Sequence, residues 1–414
     1  MNTPLHAFAG YGIELEYMIV DRTSLSVRPI ADDLLRRMAG SQVSEYADGE
    51  VALSNELVMH LIEFKNVRPQ SALDLKALSS AFQSEVRQVN RLLASAQAQL
   101  MPAAMHPWMD PLAETRLWPH DHAAIYQAYD RIFDCKRHGW ANLQSMHLSL
   151  PFAGDEEFAR LHAAVRLALP ILPALAASSP FAEGRHGGYL DYRMENYRTH
   201  QSRVASTIAD VIPETINGCA EYDAQVIQPM YREISPLDPD GVLCHEWLNA
   251  RGAVPRFERS AIEIRVLDVQ ECPIADCAIA AAVINLVGML YDEQYSALPA
   301  QQLIATPDLA RILQGCIRDA DEAVIGHAGY LNLLGFPRSR CLARELWQHI
   351  HATLRWDRAG HRDELERALG LILERGPLAR RILHATGPAC ERPRLENVYR
   401  QLCACLAEGR MFHG

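Results

Sequence analysis

Four segments of the chain alternate between apolar and polar residues, as β-strands with one buried face do. In the segment 260–268, isoleucine and valine side chains point to one face, and Glu263 and Arg265 point to the other. A carboxylate and a guanidinium two residues apart can simply pair in solvent, so this segment alone does not indicate a site. The three earlier segments repeat the alternation, and together they suggest a shared polar surface.

Two of the earlier segments carry glutamates on their polar faces. Glu14 and Glu16 stand side by side on the strand predicted at 12–17, where like charges repel unless a cation lies between them. Glu63 and Lys65 share the polar face of the next predicted strand. Both strands thus bring carboxylates to the side that faces away from the core.

His147 occupies the polar face of the remaining segment, 145–150, between two serines. If the four strands belong to one curved sheet, their polar side chains line a shared concavity. The residues that would meet there are Glu14, Glu16, Glu63, His147, Glu263 and Arg265. Glu56 precedes Glu63 on the same predicted hairpin and is either a further ligand or a solvated strand residue. The alternation equally fits an antiparallel sheet with an ordinary solvent-facing side.

Segments with a helical spacing of apolar residues surround the predicted strands. The longest is predicted to begin at an N-cap, Ser71, and to continue to about Leu100. Asp155 is predicted to cap another amphipathic helix. The most apolar stretch, 274–291, is interrupted by polar residues and is short for a bilayer span of about 20 residues, so it predicts a buried helix.

The C-terminal part of the chain has an almost entirely helical pattern, which begins at Thr306-Pro307, a favourable helix start. We therefore expect a sheet domain over residues 1–295 and a helical region over residues 296–414 that packs on it as a scaffold. Between the predicted strands, the glycine-containing loop 181–189 carries Arg185 and leads to Arg193. This loop fits an anion site and an ordinary turn equally well.

The composition restricts the classes of function. The formal net charge of -11 argues against nucleic acid as the main partner, because phosphate contacts need a basic face. The first residues have neither a basic start nor a long apolar run, so no secretory signal is expected. The ten cysteines include no C-x-x-C pair and no zinc-type spacing, which favours reduced thiols in a cytoplasmic protein without membrane segments.

In their order along the chain, these segments resemble the glutamate-cysteine ligase family of the bacterial and plant-related type, including its carboxylate-amine ligase branch. The matching motifs are Gly12-Ile-Glu-Leu-Glu16, Leu61-Ile-Glu-Phe64, His106-Pro107, Met146-His-Leu148, Ser178-Ser-Pro-Phe181, Gly188-Tyr189, Tyr192-Arg193, Trp247 with Arg251, and Ile262-Glu-Ile-Arg-Val-Leu-Asp268. They span roughly residues 8–295. The resemblance implies the α+β fold of the glutamine synthetase superfamily, in which a curved, mainly antiparallel sheet forms a funnel with helices packed outside.

The resemblance also implies a reaction and its cofactors. An ATP-dependent ligase of this type transfers the terminal phosphoryl group to a carboxylate, and an amine attacks the resulting acyl phosphate to give an amide. Divalent metals must neutralise the anions that meet in such a site, and hard Mg2+ prefers carboxylate oxygens, although Mn2+ could replace it. The expected partners are small carboxylates, amino acids and amines, with glutamate and cysteine as one pair.

The positions of residues in these motifs imply their roles. The expected metal ligands are Glu14, Glu16, Glu56, Glu63, Glu263 and His147. Arg265, with Glu263, is the expected catalytic residue, because it would hold the transferred phosphoryl group. Arg193 and Arg251 are candidates for binding substrate carboxylates or phosphates, and His147 is a candidate phosphate contact as well as a ligand.

The sequence departs from the family pattern at three positions. Family members often have histidine where Ser145 stands and threonine where Asn66 stands, and Lys65 adds a cation to the acidic face. These changes leave the carboxylates in place but bear on substrate specificity. Two alternatives stay open, namely phosphoryl transfer to a nitrogen acceptor and a metal- or nucleotide-binding protein without turnover. The apolar helices are also compatible with a homo-oligomer.

Overall fold

The protein has an α+β fold built around one large sheet. The computed structural model describes residues 4–70, 75–354, 362–387 and 390–414. Among these residues, eight strands form the main sheet, namely β1 (Gly12–Asp21), β2 (Glu45–Asp48), β3 (Val51–Asn55), β4 (Leu61–Asn66), β5 (Ala98–Met101), β6 (Ser145–Pro151), β9 (Ala253–Arg256) and β10 (Ala261–Asp268). Two small sheets lie outside it, β7 (Phe181–Ala182) with β8 (Arg185–His186) and β11 (Val324–Ile325) with β12 (Cys341–Leu342).

The strand order of the main sheet is β2-β3-β4-β1-β6-β10-β9, and β5 pairs with the C-terminal half of β1. Every pair of neighbouring strands in it is antiparallel. The alternation along each strand therefore gives the sheet two faces of different character. Leu15, Leu148 and Ile264 lie on the apolar face and are fully buried. The predicted α+β class and antiparallel sheet are confirmed.

Helices cover the apolar face and fill the connections between strands. In chain order they are α1 (Ala31–Ala39), α2 (Leu75–Ala94), α3 (Pro111–Glu114), α4 (Ala123–Phe133), α5 (His138–Ala141), α6 (Gly154–Ala168), α7 (Pro173–Ala176), α8 (Tyr192–Tyr197), α9 (Cys219–Tyr222), α10 (Gln228–Ile234), α11 (Pro273–Tyr291), α12 (Leu298–Leu303), α13 (Thr306–Asp319), α14 (Ala328–Leu333), α15 (Ala343–Thr353), α16 (Arg362–Arg375), α17 (Leu378–Thr386) and α18 (Arg392–Glu408).

Helix α11 is the most apolar helix and packs against α2, α6 and α16. By length and composition it could cross a membrane, but 89% of its most apolar window is buried inside the protein. A helix that is apolar all round needs such burial on every side. The prediction of a buried helix at 274–291 is therefore confirmed.

The second face of the sheet is acidic at one end and apolar at the other. Met18 and Val20 continue the face of β1 that carries Glu14 and Glu16, and they belong to a buried cluster with residues of α17 and α18. The C-terminal helices thus cover the apolar half of this face. The half of this face that carries Glu14 and Glu16 is not part of that cluster.

Helices α13 to α16 share the main hydrophobic core with the sheet. Leu331, Trp347 and Leu365 belong to the same buried cluster as Leu15 and Leu148. These helices therefore pack on the sheet region, whereas a division into separate units at residue 295 stays a prediction.

Local predictions about two helices differ from the structure. The helix expected to reach Leu100 ends earlier, because a turn at 95–97 leads into β5, which contains Leu100. Its expected N-cap, Ser71, lies outside the described residues.

Asp155, the expected cap of a second helix, does not cap α6. Its carboxylate instead accepts the backbone N–H of Cys219 at 3.0 Å, because it lies within the first turn of α6.

Leu148 has a central place in this core, because its backbone pairs with Ile13 on one side and with Ile264 on the other. We expect Leu148→Ala to lower the free energy of unfolding by about 3 kcal/mol, since it removes apolar contacts and leaves a cavity. The control is Val324→Ala, where the side chain is 53% exposed, and the change should stay below about 0.5 kcal/mol. Chemical denaturation measures both values, and equal effects would contradict this description of the core.

Candidate functional site

The predicted acidic residues come together because their strands are neighbours. Strands β4, β1, β6 and β10 are consecutive in the sheet. The register places Glu16 opposite Glu63 and Glu14 opposite His147. Glu263 lies opposite Ser149 on the next strand. The four strands therefore present their polar residues on one continuous face.

Two sets of three side chains lie close enough to hold a cation. Ligand atoms of Glu14, Glu63 and His147 lie within 4.8 Å of one another, and so do those of Glu16, Glu56 and Glu63. Glu63 belongs to both sets. Carboxylate oxygens, with one imidazole, suit a hard divalent cation such as Mg2+ or Mn2+. The residues present thus fit the type of metal that the sequence suggests.

Burial, together with the charges of neighbouring glutamates, raises the pKa values of the clustered glutamates. Burial raises the pKa of Glu14, and the charge of Glu263 raises it further. Burial also raises the pKa of Glu16 and of Glu63. The pKa of Glu56 lies well above its usual range, because burial and the charges of the neighbouring glutamates act together. Like charges held in a poorly solvated place favour either protonation or a bound cation.

Both ring nitrogens of His147 contact residues of the site. Its Nδ1 lies 3.0 Å from the carboxylate of Glu14, and its Nε2 lies 3.0 Å from Oγ of Ser145. The backbone N–H of Ser145 donates to Glu16 at 2.7 Å. Burial lowers the pKa of His147, and the charge of Arg265 lowers it further. Ser145, one of the departures from the family pattern, therefore contacts both His147 and Glu16.

Glu263 is engaged by two arginines. Arg256 donates from Nε to one carboxylate oxygen at 2.8 Å, and Nε of Arg265 lies 2.9 Å from the other. Burial by itself would raise the pKa of Glu263, but the guanidiniums of Arg265 and Arg256 outweigh it and lower the pKa to about 2. In the part of the chain that the structure describes, Glu263 belongs to neither set of potential metal ligands.

Lys65 neutralises the other edge of the acidic cluster. Its ammonium group lies 2.8 Å from Glu45 and 3.4 Å from Oε1 of Glu63. The hydroxyl of Ser54 donates to the same Glu63 oxygen at 2.6 Å. Oε1 of Glu63 therefore has two partners within the protein, whereas Oε2 accepts no hydrogen bond from the described residues.

A cleft of about 510 Å3 opens over these residues, which is a usual size for a small-molecule site. Its acidic wall contains Glu16 and Glu56. The arginines that line it are Arg193, Arg256, Arg259 and Arg265. The larger aromatic side chains are those of Tyr126, Tyr129, Trp140, Tyr197 and Trp247. Cationic, anionic and aromatic walls thus meet in one cavity.

A larger groove of about 640 Å3 lies beside the cleft. The two cavities share Gly139, Trp140 and His200 in their linings. None of the glutamates of the main sheet lines the larger groove. The smaller cleft is therefore the candidate site, because it combines volume with the acidic cluster.

Arg193 lies at the cleft but is largely engaged by the protein. Its guanidinium forms a buried ion pair with Asp268 and donates to the backbone carbonyl of Arg265 at 3.3 and 3.4 Å. These contacts hold the C-terminal end of β10. Arg193 thus supports the strand that carries Arg265.

The structure does not bring Arg251 and Arg185 into the cleft. Arg251 donates to both carboxylate oxygens of Glu214 at 2.6 and 2.7 Å and to the backbone carbonyl of Ser206 at 3.1 Å, and its guanidinium is buried. Arg185 is exposed and pairs with Glu183 on the small β7–β8 hairpin. Neither residue lines the cleft.

Arg256 was not among the residues predicted from the sequence. It ends the edge strand β9, which pairs with β10, and the turn between the two strands is Phe257–Arg259. Pro255 is tolerated in β9 because this strand lies at the edge of the sheet, where a missing N–H is not needed. Arg256 lies opposite Ala261 and therefore shares a face with Glu263. The short polar segment before the alternating strand was the signal for this hairpin.

Comparison with known proteins identifies relatives of this chain. The sequence signature of glutamate-cysteine ligase family 2 matches residues 11–401. An uncharacterized protein of Archaeoglobus fulgidus is 35% identical over 322 residues, which cover 75% of this chain and 85% of that protein.

Two solved structures share the fold. A bifunctional glutathione synthetase from Pasteurella multocida has a TM-score of 0.58 at 11% identity, with 96% of this chain and 51% of that chain covered. A glutamate-cysteine ligase from Francisella tularensis, solved in complex with AMP, has a TM-score of 0.56 at 12% identity, with 96% of this chain and 88% of that chain covered. At these identities the likeness concerns the fold, and it agrees with the predicted class.

The family match extends from the first strand of the sheet into α18. It includes all four strands that carry the acidic cluster and the arginines of the cleft. The chain therefore belongs to glutamate-cysteine ligase family 2, a family of ATP-dependent carboxylate-amine ligases.

Proposed function

We propose that the protein forms an amide from a small carboxylate and an amine, with ATP as the phosphoryl donor and an acyl phosphate as the intermediate. The observation that carries this proposal is the cleft whose lining combines Glu16, Glu56 and His147, which belong to the two sets of potential metal ligands, with Arg256 and Arg265. Phosphoryl transfer is catalysed mainly by positioning and charge neutralisation, which opposite charges on facing walls provide. Glutamate and cysteine are the first substrate pair to test, because the family carries their names.

The proposed reaction has two steps. First, an oxygen of the substrate carboxylate attacks the terminal phosphorus of ATP, the bond to the bridging oxygen breaks with its electron pair, and ADP leaves. Second, the amine nitrogen attacks the acyl carbon, phosphate leaves with the electron pair of the broken carbon–oxygen bond, and the nitrogen loses a proton. The first step brings several anions together, so cationic groups must surround them.

Arg265 is proposed to bind the transferred phosphoryl group. Its Nε lies 2.9 Å from Glu263, and Arg193 donates to its backbone carbonyl. Glu263 and Arg193 are therefore proposed to position Arg265. The bidentate pairing of Arg251 with Glu214 supports a structural role for Arg251.

Magnesium or manganese is proposed at the two carboxylate sets. Glu14, Glu63 and His147 would hold one ion, and Glu16, Glu56 and Glu63 a second. When bound, the ions supply positive charge that neutralises the phosphate oxygens. The raised pKa values of the four glutamates support this assignment, because burial disfavours their charged forms and a bound cation would offset that cost.

The proposed location is the cytoplasm. All ten cysteines are free thiols, and most of them are buried. Reduced thiols of this kind are typical of intracellular proteins. Homo-oligomer formation stays a prediction.

The proposed function is tested by ADP release from ATP with Mg2+, first with L-glutamate alone and then with L-cysteine or a panel of other amines. Mass spectrometry identifies the product. Amine-dependent ADP release matched by a new amide is the expected result. A phosphorylated product without an amide would indicate transfer to a nitrogen acceptor instead. Tight nucleotide binding with no ADP release for any pair would contradict the proposal.

Arg265→Ala should lower kcat by a factor of about 100 or more, equivalent to about 3 kcal/mol, because it removes charge from the proposed phosphoryl site. The matched control is Arg311→Ala, since the Arg311 side chain is 73% exposed on α13. Steady-state ADP release measures both variants, and circular dichroism checks that they are folded. Normal turnover by folded Arg265→Ala would refute the assignment.

Glu63→Gln should weaken the binding of Mn2+ by at least about tenfold, because this residue belongs to both carboxylate sets. Isothermal titration without nucleotide measures the affinity and the number of ions bound, so the result does not depend on turnover. Glu374→Gln is the control, since its side chain is 72% exposed. Unchanged affinity in the Glu63 variant would rule out the proposed metal sites.

A further inference from the structure

We propose that Arg256 and Arg259 form a second oxyanion site in the cleft, separate from Arg265. It takes either the non-reacting carboxylate of a substrate or a phosphate group of the nucleotide. The identity of the ligand rests on the proposed function. The position of the site rests on the geometry of the β9–β10 hairpin.

The hairpin directs both arginines into the cleft. Arg256 ends β9, and Arg259 closes the short 3-10 turn Phe257–Arg259 that follows it. Both arginines line the cleft. Ser260 then adopts a left-handed backbone conformation, with φ of 50°, and leads the chain into β10.

Two contacts from neighbouring segments hold this turn in place. The backbone N–H of Phe257 donates to the carboxylate of Glu246 at 3.0 Å. The carbonyl of Ser260 accepts the backbone N–H of Phe152 at 2.9 Å. A binding residue on a supported turn is positioned before its ligand arrives, which lowers the entropic cost of binding.

Arg256 keeps donors available for a ligand. It donates from Nε to one oxygen of Glu263, whereas Arg265 lies against the other oxygen of the same carboxylate. Within the described residues, this is the one hydrogen bond that the Arg256 side chain makes, and the side chain is 17% exposed. A guanidinium has five N–H donors in a fork that matches carboxylate and phosphate oxygens. The remaining donors of Arg256 can therefore bind an oxyanion.

Arg259 adds a second, more accessible guanidinium. Its side chain is 69% exposed, and Nη1 lies 4.0 Å from the carboxylate of Glu14. This distance is too long for a hydrogen bond, and among the described residues the guanidinium of Arg259 has no hydrogen-bond partner, so its donors can turn to an anion. Glu14 already accepts a closer contact from His147, at 3.0 Å.

The charges on this wall favour an anion. Arg256, Arg259 and Arg265 lie along the wall, and Glu263 is the carboxylate that Arg256 and Arg265 share. Three guanidiniums on one wall make it favourable for an oxyanion. Arg256 and Arg265 lie on opposite oxygens of Glu263, and we place the second site on the side of Arg256.

Direct titration tests the site without turnover. Pyrophosphate and glutarate are titrated separately into the full chain and into Arg256→Gln, Arg259→Gln and Arg256→Lys. Arg256→Gln should bind at least one of the two anions about tenfold more weakly than the unmodified chain does. Arg259→Gln should bind the same anion several-fold more weakly. Arg256→Lys should recover part of the affinity that Arg256→Gln loses. Arg311→Gln is the matched control, since its side chain is 73% exposed, and it should bind as the unmodified chain does.

The two anions separate the two possible ligands. Weaker binding of pyrophosphate identifies a phosphate site, and weaker binding of glutarate identifies a carboxylate site. The proposal would be overturned if the unmodified chain bound neither anion. It would also be overturned if both Gln variants bound both anions as tightly as the unmodified chain does. Thermal unfolding checks each protein. If Arg256→Gln does not fold, the exposed Arg259 carries the test through its own Gln variant.

This result and the proposed ligase activity can fail separately. The titrations need neither ATP hydrolysis nor a correct substrate pair. Anion binding that depends on Arg256 without amide formation would contradict the ligase activity and keep the oxyanion site. Amide formation by the unmodified chain, with unchanged anion binding in the variants, would support the ligase activity and contradict the oxyanion site.

Discussion

Repulsion among buried carboxylates is the constraint on which this site depends. Glu14, Glu16 and Glu63 stand on neighbouring strands at positions that the antiparallel register fixes. The chain cannot separate them without breaking the pairing of strands whose other face forms the core. Burial also keeps water from screening their charges. The stability of the sheet therefore holds together groups that need cations nearby, and Lys65 meets this need at one edge of the cluster only.

The two kinds of charge in the sheet are concentrated on different strands. Glu14, Glu16 and Glu63 come from β1 and β4, and the guanidiniums of Arg256 and Arg265 come from β9 and β10. Each side also carries one opposite charge, Lys65 on β4 and Glu263 on β10. A reaction between a carboxylate and a polyphosphate needs both kinds of wall, since metal ions require oxygen ligands and phosphate oxygens require donors. The C-terminal helices complete this arrangement, because they cover the apolar end of the same face.

The sequence could predict which residues share a strand face, but not which partners they meet. Alternation was sufficient to place Glu14, Glu16 and Glu63 on the polar faces of their strands, because the period of a strand is two residues. Arg251 illustrates the limit. Its partner Glu214 is 37 residues away in the sequence, and no local pattern connects the two. Arg256 was missed for a related reason, since its position depends on a hairpin whose edge strand contains a proline.

Glu263 gives a physical reason for the spacing of the Glu-Ile-Arg motif. Two residues is the shortest separation that places a carboxylate and the guanidinium of Arg265 on the same strand face. The neighbouring strand adds Arg256 on the other carboxylate oxygen. The guanidiniums of Arg265 and Arg256 lower the pKa of Glu263 to about 2, whereas burial raises the pKa of Glu14 and of Glu56. In the proposed reaction Glu263 therefore holds two guanidiniums in fixed orientations, a task that a metal ligand with competing contacts could not perform as well.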